Sequence, residues 1–109
     1  MEIRISDYKG IKVITVSGDI DMYSSPALRE ELIGHINMKI SVMLVDFNKV
    51  TYIDSSGIAT FVEALKHMKT YGGRLCLFGL PGGVKEIFGF SKLDKVFEIC
   101  MDIEDALAK

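Results

Sequence analysis

The sequence predicts an α/β fold: one domain over residues 1–109, with a mixed, mostly parallel sheet of about four to five strands covered by about four helices. Apolar–polar alternation around turn residues near the start of the chain indicates an N-terminal β-hairpin. Helix-like and strand-like segments then alternate, which is typical of parallel strands joined by right-handed crossovers. The length of 109 residues and a hydrophobic fraction of 49% suit a single core.

The first half of the chain predicts the hairpin, one helix and one buried strand. The hairpin strands are Glu2–Ser6 and Ile11–Val16, and the chain leaves the second strand at Gly18. A helix follows, with Ser25 as its N-cap and a proline at the first helical position. The next strand, Ser41–Phe47, contains an unbroken apolar run that suits a strand covered on both faces. The helix is expected to bury Ala27, Leu28, Leu32, Ile33 and Ile36.

The second half predicts three further helices and two further strands. The longest helix runs over Ser55–Tyr71 and ends at two glycines. The remaining elements are a strand over Arg74–Gly79, a short helix opened by Pro81, a strand over Lys95–Cys100 and a terminal helix over Ile103–Leu107 capped by Asp102.

The charge pattern argues against a nucleic-acid or membrane partner. The net charge is −2, and the nearest approach to a basic cluster, Lys66, Lys69 and Arg74, has Glu63 beside it. Met1–Asp7 has no signal-peptide pattern, and no apolar run approaches the ~18 residues of a membrane span. We expect a cytoplasmic protein that is a monomer when free and binds neither nucleic acid nor membrane directly.

Reactive side chains do not form a recognisable catalytic set. His35 and His67 are interpreted as surface residues, because neither has a nucleophile in a known motif. Cys76 and Cys100 are interpreted as buried free thiols, since two cysteines give no zinc spacing. Capping and turn roles explain the strand-end acids better than a magnesium site does. No catalytic residue, cofactor or metal is therefore expected. The strand-end acids in question are Asp19, Asp21, Asp46 and Asp54.

A glycine-rich stretch, Gly79–Lys85, invites a phosphate-loop interpretation but lacks the required spacing. No Gly-Lys-Ser/Thr follows the first glycine, and the three-glycine dinucleotide pattern is absent. A turn followed by a helix start is the simpler interpretation.

The segment Asp54-Ser55-Ser56-Gly57 lies where a predicted strand gives way to a helix. An acid or serine at a helix start caps free backbone N–H groups, so capping alone is an equal alternative on local sequence. Gly57 is harder to explain as a helix device, because glycine costs ~1 kcal/mol relative to alanine. We expect Gly57 to keep the surface above the serines low enough for a partner to approach.

A helical wheel separates the two serines. Five apolar residues predict a buried face centred near Leu65, with ~100° per residue. Ser56 then lies roughly opposite that centre, together with Thr60, whereas Ser55 lies on the flank, roughly 80° away. The wheel therefore predicts that Ser56 points to solvent and that Ser55 is better placed to cap or pack, while Asp54 is expected to cap the helix start. The five residues are Ile58, Phe61, Val62, Leu65 and Met68.

Over essentially its whole length the sequence resembles the STAS-domain anti-sigma factor antagonists of bacterial sporulation and stress responses. The resemblance is carried by Gly18-Asp19-Ile20-Asp21 before Ser25-Pro26, by Val45-Asp46-Phe47, and above all by Thr51-Tyr52-Ile53-Asp54-Ser55-Ser56-Gly57. Gly72-Gly73 and Leu93-Asp94-Lys95-Val96-Phe97 are similar to later landmarks of the family.

The resemblance implies a regulatory binding protein, not an enzyme. In such proteins the second serine of the motif, here Ser56, is phosphorylated by an anti-sigma factor that is also an ATP-dependent serine kinase. The unphosphorylated form binds that anti-sigma factor and releases the sigma factor, and a metal-dependent serine phosphatase resets the switch. Asp21 matches a position that helps kinase contact. Expected supporting or contact residues are Asp21, Met22, Tyr23, Asp54, Ser55, Gly57, Ala59 and Thr60.

Two other functions remain open at this point. The chain could be a stand-alone STAS subunit that regulates a transporter, a chemoreceptor-like assembly or a signalling cyclase. A nucleotide-binding protein that uses the glycine loop and the strand-end acids is the more distant alternative.

Overall fold

A computed structural model describes residues 1–109 and contains one five-stranded sheet in the order β1-β2-β3-β4-β5. Strand β1 is antiparallel to β2, and the other pairs are parallel. The predicted mixed, mostly parallel sheet with an N-terminal hairpin is confirmed. The strands are β1 (Glu2–Tyr8), β2 (Ile11–Ile20), β3 (Val42–Ile53), β4 (Arg74–Phe78) and β5 (Glu98–Cys100).

Four α-helices connect or follow these strands, as predicted. A 3₁₀ turn at Leu93–Lys95 separates the third helix from the last strand, so β5 begins at Glu98 and not at Lys95. No helix has both the length and the apolar character that crossing a bilayer requires. The helices are α1 (Ser25–Asn37), α2 (Ser55–Lys69), α3 (Gly82–Phe90) and α4 (Ile103–Leu107).

The sheet buries side chains on both faces. Met43 and Val45 of β3 belong to the larger core with residues of α1, α2 and α3, whereas Leu44 belongs to a smaller core beneath α4. The apolar run in β3 is thus covered on both sides, as predicted. Phe47 packs against Phe61 of α2, with ring centroids 5.2 Å apart.

Strands β2 and β3 are longer than predicted. The predictions ended them at Val16 and Phe47 because turn-forming residues follow, but their pairing continues to Ile20 and Ile53. Two irregularities in register accommodate the extra residues, and Gly18 adopts a φ of +88° at the second. As a result, both strands end side by side at the same edge of the sheet.

The predicted start of α1 was wrong by one residue. The N-cap is Ser24, and Ser25 is the first helical residue, only 6% exposed. Ala27, expected to be buried, is exposed. The Asp21 carbonyl accepts the Ser25 backbone N–H at 2.8 Å, which sets the rotation of this first turn. Helix α2 ends at Lys69, two residues before the predicted end.

The two thiols lie buried between the sheet and α4, and both are free, as predicted. Burial raises the pKa of Cys76, with a further contribution from the thiol of Cys100, whose Sγ lies 3.2 Å away. Arg74 forms a two-armed ion pair with Glu98 beside them and donates to the Ala106 carbonyl at 2.7 Å. Arg74 therefore links β4, β5 and α4.

Candidate functional site

The starts of α1 and α2 lie side by side, because β2 and β3 end together. The Asp54 backbone N–H donates to the Ile20 carbonyl at 3.0 Å and so extends the strand pairing into the loop before α2. Further along the two helices, Arg29 of α1 pairs with Glu63 of α2 through contacts of 2.8 and 2.6 Å. The two helices therefore present one continuous surface.

Asp54 is the N-cap of α2. Its carboxylate accepts the backbone N–H groups of Ser56 at 2.9 Å and Gly57 at 3.2 Å, and it also accepts the Ser56 hydroxyl at 2.6 Å. The hydroxyl bond is the main cause that lowers the pKa of Asp54; burial opposes this, and backbone N–H groups, including that of Met22, add to the lowering. The predicted capping role is confirmed.

The lowered pKa of Asp54 predicts an acid-dependent loss of stability. The ionised carboxylate stabilises the fold above its unfolded-state pKa of ~3.9, and this contribution disappears as pH falls through the lower folded-state pKa. Asp54→Asn keeps an acceptor but removes the charge. Urea unfolding from pH 7 to pH 2 should therefore show the wild type more stable at neutral pH and the two proteins converging in acid. A constant difference across that range would contradict this.

The helical wheel gave the wrong orientation of α2. Ser56 is half-buried, not solvent-facing, and Ser55 is the exposed serine. Ile58 and Val62 lie only partly buried on the flank of the helix, so including them rotated the predicted face away from its true centre. The buried residues of α2 are Gly57, Thr60, Phe61, Ala64, Leu65 and Met68.

Gly57 and Thr60 were expected at the outer surface, and both are buried. A Cβ on Gly57 would lie 2.7 Å from side-chain carbons of Ile20 and Ile53 and 3.2 Å from the Ile20 carbonyl oxygen. Gly57 therefore lets α2 approach the ends of β2 and β3 and does not lower an exposed surface. The Thr60 hydroxyl donates to the Ser56 carbonyl at 3.0 Å. Ala59 is exposed.

The loop before α1 holds its own shape through Asp21. Its carboxylate accepts the backbone N–H groups of Tyr23 at 3.0 Å and Ser24 at 3.1 Å. Met22 and Tyr23, which follow Asp21, are 65% and 88% exposed, so this loop presents two large apolar side chains to solvent. An open groove of about 610 Å³ is lined in part by Ser55, Ala59 and Val62.

Sequence reasoning treated Ser25 only as a cap and missed its contact with Ser56. The two hydroxyl oxygens lie 2.8 Å apart across the α1–α2 boundary. Helical spacing within each segment carried no signal of this contact, because the pairing of β2 with β3 brings the two serines together.

The strand-end acids are occupied by protein hydrogen bonds. Asp19 accepts the Thr51 hydroxyl at 2.6 Å, and Asp46 accepts the Asn48 backbone N–H at 2.8 Å. Asp21 and Asp54 serve the turn and cap described above. The interpretation as turn and capping residues is therefore confirmed for Asp21 and Asp54, whereas Asp19 lies in β2 and Asp46 lies within β3.

One group of side chains has metal-ligand chemistry. Ligand atoms of Cys76, Glu98 and Cys100 lie within 4.8 Å of one another. The Glu98 carboxylate, however, is taken up by the two-armed contact with Arg74. The group also lies on β4 and β5, apart from the starts of α1 and α2.

The sequence and the fold of this chain match a known class of domain. The sequence model of the STAS domain matches residues 2–106, so the chain belongs to the STAS domain family. The anti-sigma-B factor antagonist of Listeria monocytogenes is 32% identical over 99 residues, which cover 91% of this chain and 86% of that protein.

Solved structures have the same fold. An anti-sigma factor antagonist from Mycobacterium paratuberculosis superposes with a TM-score of 0.88 at 23% identity, covering 98% of this chain and 91% of the other. The Bacillus cell fate determinant SpoIIAA in its phosphorylated form superposes with a TM-score of 0.73 at 18% identity, covering 94% and 95%.

Proposed function

We propose that this chain is an anti-sigma factor antagonist, and that phosphorylation of Ser56 switches off its binding to an anti-sigma factor with ATP-dependent serine kinase activity. A metal-dependent serine phosphatase would reverse the modification. The observation that carries the proposal is the placement of the Ser56 hydroxyl at the start of α2, held by Asp54 at 2.6 Å. The relationship to the Listeria antagonist and the fold shared with phosphorylated SpoIIAA support it.

The local electrostatics suit a switch that changes a surface without unfolding it. A phosphate at the start of α2 meets the positive end of the helix dipole and its N–H groups. It also adds about −1.5 to −2 charge beside the Asp54 carboxylate. A partner surface that accepts a neutral serine there would be repelled by that charge.

The surface around Ser56 suits a protein partner. Met22 and Tyr23 are highly exposed and follow the Asp21 turn, and Ala59 is exposed one turn along α2. Exposed aromatic and methionine side chains are typical of interface cores. We expect Met22, Tyr23 and Ala59, together with exposed Ser55, to contact the anti-sigma factor.

The test is to mix the purified protein with its candidate anti-sigma factor and ATP, and to map the phosphorylated residue by mass spectrometry. Ser56→Ala should abolish labelling while still binding, whereas Ser56→Asp should bind more weakly. Ser55→Ala is the matched control, because it removes the exposed neighbouring hydroxyl and should leave labelling intact. Circular dichroism should be nearly unchanged throughout. Labelling that survives Ser56→Ala would reject the site.

A further inference from the structure

A buried hydroxyl on α1 lies against the serine at the start of α2. Ser25 is 6% exposed, and its Oγ lies 2.8 Å from Ser56 Oγ. Ser56 Oγ lies in turn 2.6 Å from an Asp54 carboxylate oxygen, and Ser25 Oγ lies 2.5 Å from the Asp21 carbonyl oxygen. The four groups form a continuous chain of short oxygen–oxygen contacts from the β2–α1 loop to α2.

The two hydroxyl protons are fewer than the oxygen–oxygen contacts in this series. Each serine hydroxyl carries one proton, so two protons serve three contacts. An ionised Asp54 can only accept, which commits the Ser56 proton to Asp54. The contact between the serines is therefore a hydrogen bond only when Ser25 donates to Ser56. Ser25 thus divides its proton between the Asp21 carbonyl and a lone pair of Ser56 Oγ.

The contact with Ser25 occupies one of the two lone pairs of the oxygen that phosphorylation modifies. In the transfer, Ser56 Oγ bonds to the γ-phosphorus of ATP, the bond between that phosphorus and the β,γ-bridging oxygen breaks, ADP leaves and the hydroxyl proton passes to water. Contacts of 2.6 and 2.8 Å on a half-buried oxygen leave little room for a phosphoryl group between Asp54 and Ser25. Ser56 must therefore rotate outward before transfer.

We propose that Ser25 is a positioning residue that holds the Ser56 hydroxyl in an inward rotamer and thereby lowers the rate at which it is phosphorylated. This rests on the proposed function only for the kinase step, since the inward rotamer is a property of the free protein. Removing the Ser25 hydroxyl leaves the Asp54 contact alone to hold Ser56. Loss of one hydrogen bond of ordinary strength should raise the population of the outward rotamer about 3- to 10-fold.

The first test needs no kinase. Three-bond couplings measured by NMR report the χ1 rotamer of Ser56, and carbon chemical shifts followed with pH report the Asp54 carboxyl. The wild type should show one dominant Ser56 rotamer. Ser25→Ala should show rotamer averaging and a higher Asp54 pKa, because Ser56 donates to Asp54 for less of the time. Ser41→Ala, which changes an exposed serine just before the start of β3, should change neither.

The second test uses the anti-sigma factor kinase with ATP. Ser25→Ala should be phosphorylated at Ser56 about 3- to 10-fold faster than the wild type, and Ser41→Ala at the wild-type rate. Ser25→Cys keeps the volume with a weaker donor and should move both readouts in the same direction. It serves as the informative variant if circular dichroism shows that Ser25→Ala is unfolded.

The outcomes separate the two proposals. If no kinase labels Ser56 but the rotamer measurements change as described, Ser25 holds the Ser56 rotamer as proposed, whereas the proposed function and the effect of Ser25 on phosphorylation rate both fail. If Ser56 is labelled, but the Ser56 rotamer and the labelling rate are the same in the wild type and in the Ser25 variants, the function stands and the positioning role is rejected.

Discussion

Replacing Gly57 with alanine is expected to lower the free energy of unfolding by about 2 kcal/mol. The new Cβ would overlap side-chain carbons of Ile20 and Ile53 at 2.7 Å, and both residues are buried at strand ends that cannot easily move. Alanine has a better helix propensity than glycine and stabilises the helix by up to ~1 kcal/mol. This gain is smaller than the cost of overpacking a close-packed site. Thermal and urea unfolding should show the loss, with a melting temperature about 10 °C lower.

Gly89→Ala is the matched control for this prediction. Gly89 also lies within a helix, but a Cβ there meets no atom within 4 Å. The same change of side chain should therefore be neutral or stabilising, by up to ~1 kcal/mol. If both alanine variants unfold at the same denaturant concentration, close packing of Gly57 against the strand ends is not what requires glycine there.

Replacing Arg74 with methionine is expected to cost about 2 kcal/mol and to loosen α4. The change breaks a partly buried two-armed pair, leaves the Glu98 carboxylate without its cation, and removes the donor to the Ala106 carbonyl. The cost should fall between that of an exposed pair, ~0.2–1 kcal/mol, and that of a fully buried one, ~3–5 kcal/mol. Hydrogen exchange should show faster opening of α4, while α2 keeps its protection.

The exposed pair between Lys12 and Asp7 provides the comparison. Its atoms are 3.5 Å apart and both side chains are about a third or more exposed, so Lys12→Met should cost no more than ~1 kcal/mol. In a double-mutant cycle, Arg74→Met and Glu98→Gln together should cost less than the sum of the two single changes. Strict additivity, or an Arg74 variant as stable as the Lys12 variant, would contradict the role given to this pair.

Element order was predictable because the chain signals it locally. Alternating apolar residues predict the hairpin strands, Ser25-Pro26 predicts a helix start, and the unbroken apolar run predicts β3. Strand ends were not predictable, since Gly18 was read as leaving the strand. Pairing with β3 provides hydrogen bonds that carry β2 through its irregular register, and no window of single sequence contains that information.

The candidate site was predictable in its residues but not in its geometry. Asp54 as a cap follows from its position before a helix, and the structure confirms it. The burial of Thr60 and the half-burial of Ser56 depend on the rotation of α2 about its axis against the sheet. The sequence predicted the wrong rotation, because Ile58 and Val62 were counted in the buried face. Ser25 was missed for a related reason: its partner lies 31 residues away along the chain.

The Asp21 turn and the Asp54 cap have a consequence for how fast a partner exchanges. Both loops that flank Ser56 are held by their own carboxylates, so a partner meets a surface that needs little ordering. Its association rate should then be limited by diffusion and orientation, and differences in affinity should reside in the residence time of the complex. The dissociation step, more than any rearrangement of these loops, would set how soon a bound partner is released.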